Sequence, residues 1–251
     1  MQDFNWNNKN LHVMLSPPYA CGQWLINCLS YSKHLCPCVP TQSIEKLITP
    51  GGLSPEEKHG MLLSHLPNKD KDSGWHYDSQ FYDSIRWLHQ HEGSGFTMED
   101  GEEPGELLFQ KVTPGMRDYI DQFWRQHARL VSHSDMGLIM KVHYAAEADG
   151  WLALVPQSKI FTVSNYDRWQ DVFVKKSKTA VHTVTHWRKK SDYQIRGFVF
   201  DIDRMIKDES FFTSTMHDAY KYIDLDDYLE VELYLIEYRK AYLKANLQYT
   251  K

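Results

Sequence analysis

Leu11-His12-Val13-Met14-Leu15, then Ser16-Pro17-Pro18-Tyr19-Ala20-Cys21-Gly22, then Gln23-Trp24-Leu25, is the stretch on which the fold reading turns. The first five residues form a short apolar run, which fits a buried strand. Two adjacent prolines break it, because proline lacks the N–H that a ladder needs. From Gln23 to Tyr31, Trp24, Leu25, Cys28 and Leu29 fall on one side of a helix, which Pro37 and Pro40 end. The turn between strand and helix carries Ala20, Cys21 and Gly22. Small residues there let backbone N–H groups approach an anion at the helix start, and Gln23 adds a side-chain amide. A Walker loop would continue Gly-Lys-Ser or Gly-Lys-Thr. This chain has Cys21-Gly22-Gln23-Trp24, so the turn is not an ordinary ATP or GTP loop.

Further along, strand-like and helix-like segments alternate. Ser54-Pro55-Glu56-Glu57 is a helix start: Ser54 caps, Pro55 suits the first turn and Glu57 closes a capping box. That helix is expected to run to Leu66, before Pro67. Phe81–His91 reads as a helix, Gly93–Glu106 as an acidic exposed loop, and Leu107–Val112 as an extended segment. Met116, Tyr119, Ile120, Phe123, Trp124 and Val131 recur at helical spacing after Thr113-Pro114. Gly137–His143, Lys159–Ser164 and Gly197–Ile202 read as strands. A helix is expected from Tyr166, and two more over Glu209–Ile223 and Asp226–Asn246. The alternation implies an α/β fold with a mostly parallel central sheet flanked by helices. In such sheets ligands sit beyond the carboxyl ends of the strands, here Ser16–Gly22, Lys141–Tyr144, Ser164–Arg168 and Asp201–Asp203.

Composition narrows the classes. The 251 residues suit a single α/β domain, and 14% aromatic residues argue against general disorder. A net charge of −5 gives no basic footprint for nucleic acid. No apolar run reaches spanning length and Met1–Asn10 is polar, so neither a membrane span nor a targeting segment is expected. The four cysteines lie between Cys21 and Cys38 and are expected as free thiols in a cytoplasmic protein. Cys36-Pro37-Cys38 with His34 and Cys28 lacks CxxC spacing and a second pair, so no metal site is expected. There is no GxGxxG fingerprint and no nucleophile elbow.

The strand, Pro18, the turn of small residues and Trp24-Leu25 opening a helix resemble the sulfotransferase family. So does Ile139-Met140-Lys141-Val142-His143-Tyr144, where that family has a strand ending Lys-x-His, followed by Pro156-Gln157-Ser158-Lys159 before the next strand. The resemblance covers about Leu11–Tyr31 and Gly137–Asn246, and is of the divergent bacterial or viral type. It implies a P-loop NTPase-like fold over residues 1–251 as one domain, with 32–136 as an acceptor-pocket or lid insertion. Trp75, His76, Tyr77, Phe81, Tyr82, Trp87 and His89 are candidates to line that pocket, although aromatic residues at helical spacing more often form core.

The activity implied is transfer of a sulfuryl group from 3′-phosphoadenosine-5′-phosphosulfate to a hydroxyl or amine of a small molecule or glycan. The resemblance makes His143 the general base and Lys141 the electrostatic helper, and alternate strand residues share a face. It places the donor on Tyr19, Ala20, Cys21, Gly22, Gln23 and Trp24, with Ser164, Asn165 and Arg168 near its 3′-phosphate. Four positions depart from the family pattern: Tyr19 stands where a Lys or Arg is usual, Gly22 and Gln23 replace hydroxyl residues, and Ser164 replaces an Arg. Arg168, Lys175, Lys176, Lys178 and the run Arg188-Lys189-Lys190 are nearby sources of positive charge, or simply solvated helix faces. Asp201 and Asp203 read as caps of the next helix before substrate ligands. Two alternatives stay open. One is a sulfotransferase-like binding or scaffold protein without catalysis, and the other a nucleotide kinase-like enzyme, against which the lack of a Walker Lys argues. Oligomers are compatible with all three.

Overall fold

A computed structural model of the chain describes residues 11–37, 54–64, 66, 137–143, 145, 148–149, 152, 157–174, 181, 184–185, 187–189 and 193–247. The elements, in chain order, are β1 (Leu11–Leu15), α1 (Gly22–Leu29), β2 (Leu35–Pro37), α2 (Pro55–Ser64), β3 (Gly137–Val142), β4 (Lys159–Ser164), α3 (Asp167–Val174), β5 (Phe198–Asp201), α4 (Ile202–Lys207), α5 (Glu209–Tyr222) and α6 (Tyr228–Leu247). The expected helix at Phe81–His91, the acidic loop, the segment Leu107–Val112, the amphipathic helix after Pro114 and the aromatic group Trp75–His89 lie outside the described residues.

The strands form one sheet in the order β2-β3-β1-β4-β5, with every pair parallel. β1 is central: Leu15 sits opposite Val142 on one side and Thr162 on the other. Val13, Met14 and Leu15 are buried, as in a strand covered on both faces. The α/β class and the parallel sheet therefore stand as expected. The order is neither of the two commonest doubly wound arrangements.

Two elements correct the sequence reading. Helix α1 ends at Leu29, short of the expected Tyr31, and the chain then forms β2, which was not anticipated. Pro37 is tolerated there because β2 pairs with one neighbour only, at the sheet edge. The six-residue α4 was also missed. It starts where Asp201 accepts from the Arg204 N–H at 3.1 Å, the capping role favoured for that aspartate. At α2 the capping box forms as expected: Glu57 N–H donates to Ser54 Oγ at 3.2 Å, and Ser54 N–H to Glu57 Oε2 at 2.8 Å. Gly197 enters β5 with φ +66, where a Cβ would meet the Ile160 carbonyl oxygen at 2.2 Å, so only glycine fits.

The core lies between the sheet and the carboxyl-terminal helices. The Trp24 indole, 1% exposed, stacks on Tyr242 at 5.0 Å and on Phe212 at 5.6 Å between ring centroids. That joins α1, α5 and α6, and truncating Trp24 to alanine is expected to destabilise by about 3–5 kcal/mol. Lys58 of α2 donates to the carbonyls of Ser30 and Ser32, just past the end of α1. A cation there satisfies carbonyls that the helix leaves open. Among the described residues no helix is long and apolar enough to cross a membrane.

Candidate functional site

The chain leaves β1 toward β2 at one side of the sheet, and leaves β4 toward β5 at the other. The carboxyl end of β1 is therefore where the connections part, the usual place for a ligand crevice in an open parallel sheet. Three adjacent strands deliver expected site residues there: β3 brings Lys141 and His143, β1 its loop, and β4 Ser164 and Asn165.

The loop is tight. The Ala20 N–H bonds the Pro17 carbonyl at 3.2 Å, and Tyr19 and Cys21 both have positive φ, 61 and 63. A left-handed backbone costs a non-glycine residue about 1–2 kcal/mol. Cys21, left-handed, is followed directly by the right-handed α1. That alternation turns successive N–H groups toward one point, the geometry of an anion nest. The loop is held from outside by Gln170 of α3, fully buried, whose Nε2 donates to the Pro18 carbonyl at 2.8 Å. Gln170 Oε1 in turn accepts from Arg188 Nη2 at 2.6 Å and Nε at 3.1 Å.

His143 follows β3 directly. Its Nδ1 lies 2.7 Å from the Ser16 carbonyl oxygen. A carbonyl only accepts, so Nδ1 carries the proton and the neutral ring has its lone pair on Nε2. Burial, then the positive charge of Lys141, push the imidazole down to about 3, while the bond to Ser16 acts in the opposite direction. The ring is therefore neutral at physiological pH. The His143 carbonyl accepts from Trp187 Nε1 at 2.9 Å.

Trp187, Tyr193 and Arg196 bond to this end of the sheet. β1 stops at Leu15, opposite Thr162, and so leaves the next residue of β4 without a strand partner on that side. The Tyr193 hydroxyl takes its place, accepting from the Val163 N–H at 2.8 Å and donating to the Val163 carbonyl at 2.6 Å. The Tyr193 ring packs edge-on against Tyr166 and Trp187. Thr162 Oγ1 donates to the Arg196 carbonyl at 2.8 Å, and Arg196 Nη2 to the Ala145 carbonyl at 3.2 Å.

The other expected site residues are placed as follows. Ala20 and Cys21 are buried, and the Tyr242 hydroxyl lies 3.8 Å from Cys21 Sγ. Burial pushes that thiol up to about 12. Trp24 points into the core. Gln23 Nε2 donates along the helix to Asn27 at 3.1 Å. Loop positions 20, 21 and 24 thus offer a ligand their backbone and not their side chains. Tyr19 is half-buried at the loop tip. Asn165, with φ 50, donates to Asp201 Oδ2 at 2.9 Å, and Ser164 Oγ is 3.5 Å from the Phe200 carbonyl. Arg168 is exposed on α3, 5.7 Å from the Trp169 ring. Arg188, read as part of a solvated basic run, holds Gln170 and also Asp171 at 3.2 Å. Lys175, Lys176 and Lys178 lie outside the described residues. Among the described residues no group of three or more His, Cys, Asp or Glu could hold a metal ion.

Gln170, Trp187 and Tyr193 were missed by sequence reasoning, because their bonds reach backbone groups 30 to 152 residues away. The one available signal was Gln170, a polar residue on the expected helix after Tyr166. No known protein family, curated protein or solved structure matches this chain.

Proposed function

We propose that this chain is a sulfotransferase of P-loop-type architecture, acting at the carboxyl end of β1. The observation that carries the reading is the placement of His143. Its Nδ1 proton is committed to the Ser16 carbonyl of the β1 loop, its lone pair sits on Nε2, and Lys141 belongs to the same strand end. A nest of loop N–H groups at the start of α1 lies on the neighbouring strand. Sulfuryl transfer, like phosphoryl transfer, needs in-line positioning and cancellation of developing negative charge more than covalent help. In the proposed reaction the acceptor hydroxyl or amine attacks sulfur, and its proton passes to His143 Nε2. The bond from sulfur to the phosphate oxygen breaks, and adenosine 3′,5′-bisphosphate leaves. Lys141 and the loop N–H groups neutralise charge on the transferring group. A donor anion beside Lys141 also removes the charge that depresses His143, moving the imidazole back toward the range where a base works.

Calorimetry with adenosine 3′,5′-bisphosphate tests this reading. Binding at micromolar to millimolar ligand, with sulfuryl transfer abolished in His143→Ala, is the expected result. No heat and no thermal shift at millimolar ligand would end it. A second reading, a binding protein without catalysis, has its own support. Asn165 and Ser164, next to the expected 3′-phosphate position, are turned to Asp201 and Phe200. Bisphosphate binding with no turnover on any hydroxyl or amine acceptor would favour it.

A further inference from the structure

Gly22, the first residue of α1, has no room for a side chain. A Cβ built there would lie 2.0 Å from Ser16 Oγ and 2.8 Å from Ser16 Cβ. The space beside the start of the helix is thus already filled by a hydroxyl, delivered from the end of β1. That hydroxyl is fully buried and has no hydrogen-bond partner among the described residues. Buried polar groups are nearly always satisfied, so an orphaned hydroxyl facing a helix N-terminus calls for a ligand. The same point lies 3.4 Å from Cδ of Lys141, so the methylene arm of that lysine is also in contact there. Ser16 also gives its carbonyl to His143, and its N–H to the Val142 carbonyl at 3.0 Å. One residue therefore touches the loop, the base and the strand that carries the lysine.

We infer that the Ser16 hydroxyl is an oxyanion donor of this site, supplying from the strand the group that Gly22 cannot supply from the helix. The inference rests on the reading of the site as an anion site, though not on the identity of the donor nucleotide. An oxyanion drawn to Lys141 and the loop N–H groups shifts the lysine arm outward and uncovers the hydroxyl, which then donates to it. Ser16 is a binding residue in this scheme and gives up no proton to the reaction.

Ser16→Ala separates this role from a structural one. Deleting an unsatisfied buried hydroxyl leaves the folded state as stable or more so. The melting temperature of Ser16→Ala without ligand is therefore expected to equal or exceed that of the parent. Its affinity for inorganic sulfate, measured by calorimetry, is expected to fall about tenfold, the scale of one hydrogen bond to a charged group. The double variant Ser16→Gly/Gly22→Ser moves the hydroxyl back to the helix without the clash, and is expected to recover most of that affinity. Equal sulfate binding by the parent and Ser16→Ala overturns the inference, as does a lowered melting temperature with unchanged affinity. A parent that binds neither sulfate nor adenosine 3′,5′-bisphosphate overturns it together with the proposed function. Sulfate binding that depends on Ser16, without bisphosphate binding, supports the hydroxyl and removes only the nucleotide donor.

Discussion

Two histidines stand at opposite ends of the sheet, His12 buried on β1 and His143 half-buried just after β3, and they differ in what surrounds them. His12 lies near the amino end of β1, 4% exposed, edge-on to Phe161, with no partner for its Nδ1 among the described residues. His143 lies at the carboxyl end, its Nδ1 bonded to Ser16 and its carbonyl to Trp187. Both imidazoles are depressed, His12 to about 4 and His143 to about 3, and burial is the leading cause in each. A nearby lysine adds to both, Lys159 for His12 and Lys141 for His143. A lowered pKa therefore does not tell the candidate-site end of this sheet from the other. The difference lies in fixed tautomer, strained loop and converging donors, all of which gather at the carboxyl end.

The sharpest contrast is expected from Gly22→Ala. Its Cβ would overlap Ser16, so urea unfolding is expected to show a loss of about 3 kcal/mol. A loss under 1 kcal/mol would mean that Ser16 simply turns aside and that the packing at this end is loose.

Acid comes next. Folded His12 sits at about 4, below its ordinary value of 6.5, so between those values the unfolded chain binds a proton that the folded chain does not. Stability is intact above about pH 6.5 and falls as pH drops toward 4, by about 3 kcal/mol from this group. His143 contributes a similar slope over the same window, so His12→Leu is expected to cut the slope there by about half; an unchanged slope would assign the acid sensitivity elsewhere. The His143 contribution runs on past pH 4 to about pH 3.

His143→Leu leaves the Ser16 carbonyl without its donor and is expected to lose about 1–3 kcal/mol at pH 7 in the same unfolding assay. His12→Leu at pH 7 removes an orphaned buried polar atom and is expected to stay within about 1 kcal/mol of the parent, on the stabilising side. Equal losses from the two leucine variants would erase the distinction between the ends.

How much of this was legible follows from range. β4 was read with its observed bounds because Ile160, Phe161, Thr162 and Val163 form one buried run. The β1 loop was legible because two prolines and a glycine punctuate it. β2 was not, since three residues with a proline carry no period and exist only through pairing with β3. Lys141 and His143 became candidates through a resemblance of motif and spacing, not through periodicity. Ser16 was passed over because its meaning lies in contact with Gly22 and His143, six and 127 positions away. The loop residues were expected as a set, but the alternation of left- and right-handed backbone splits them. The side chains of Trp24, Ala20 and Cys21 serve the core, which leaves only their backbone for a ligand.

The Tyr193 hydroxyl that completes β4 has a practical consequence. It protects the Val163 amide in place of a neighbouring strand, so exchange of that single amide with deuterium reports whether Tyr193 is seated against β4. The report needs neither ligand nor activity. Slow exchange that persists on adding sulfate would mean that the anion binds without displacing Tyr193; exchange that quickens would mean that binding displaces it.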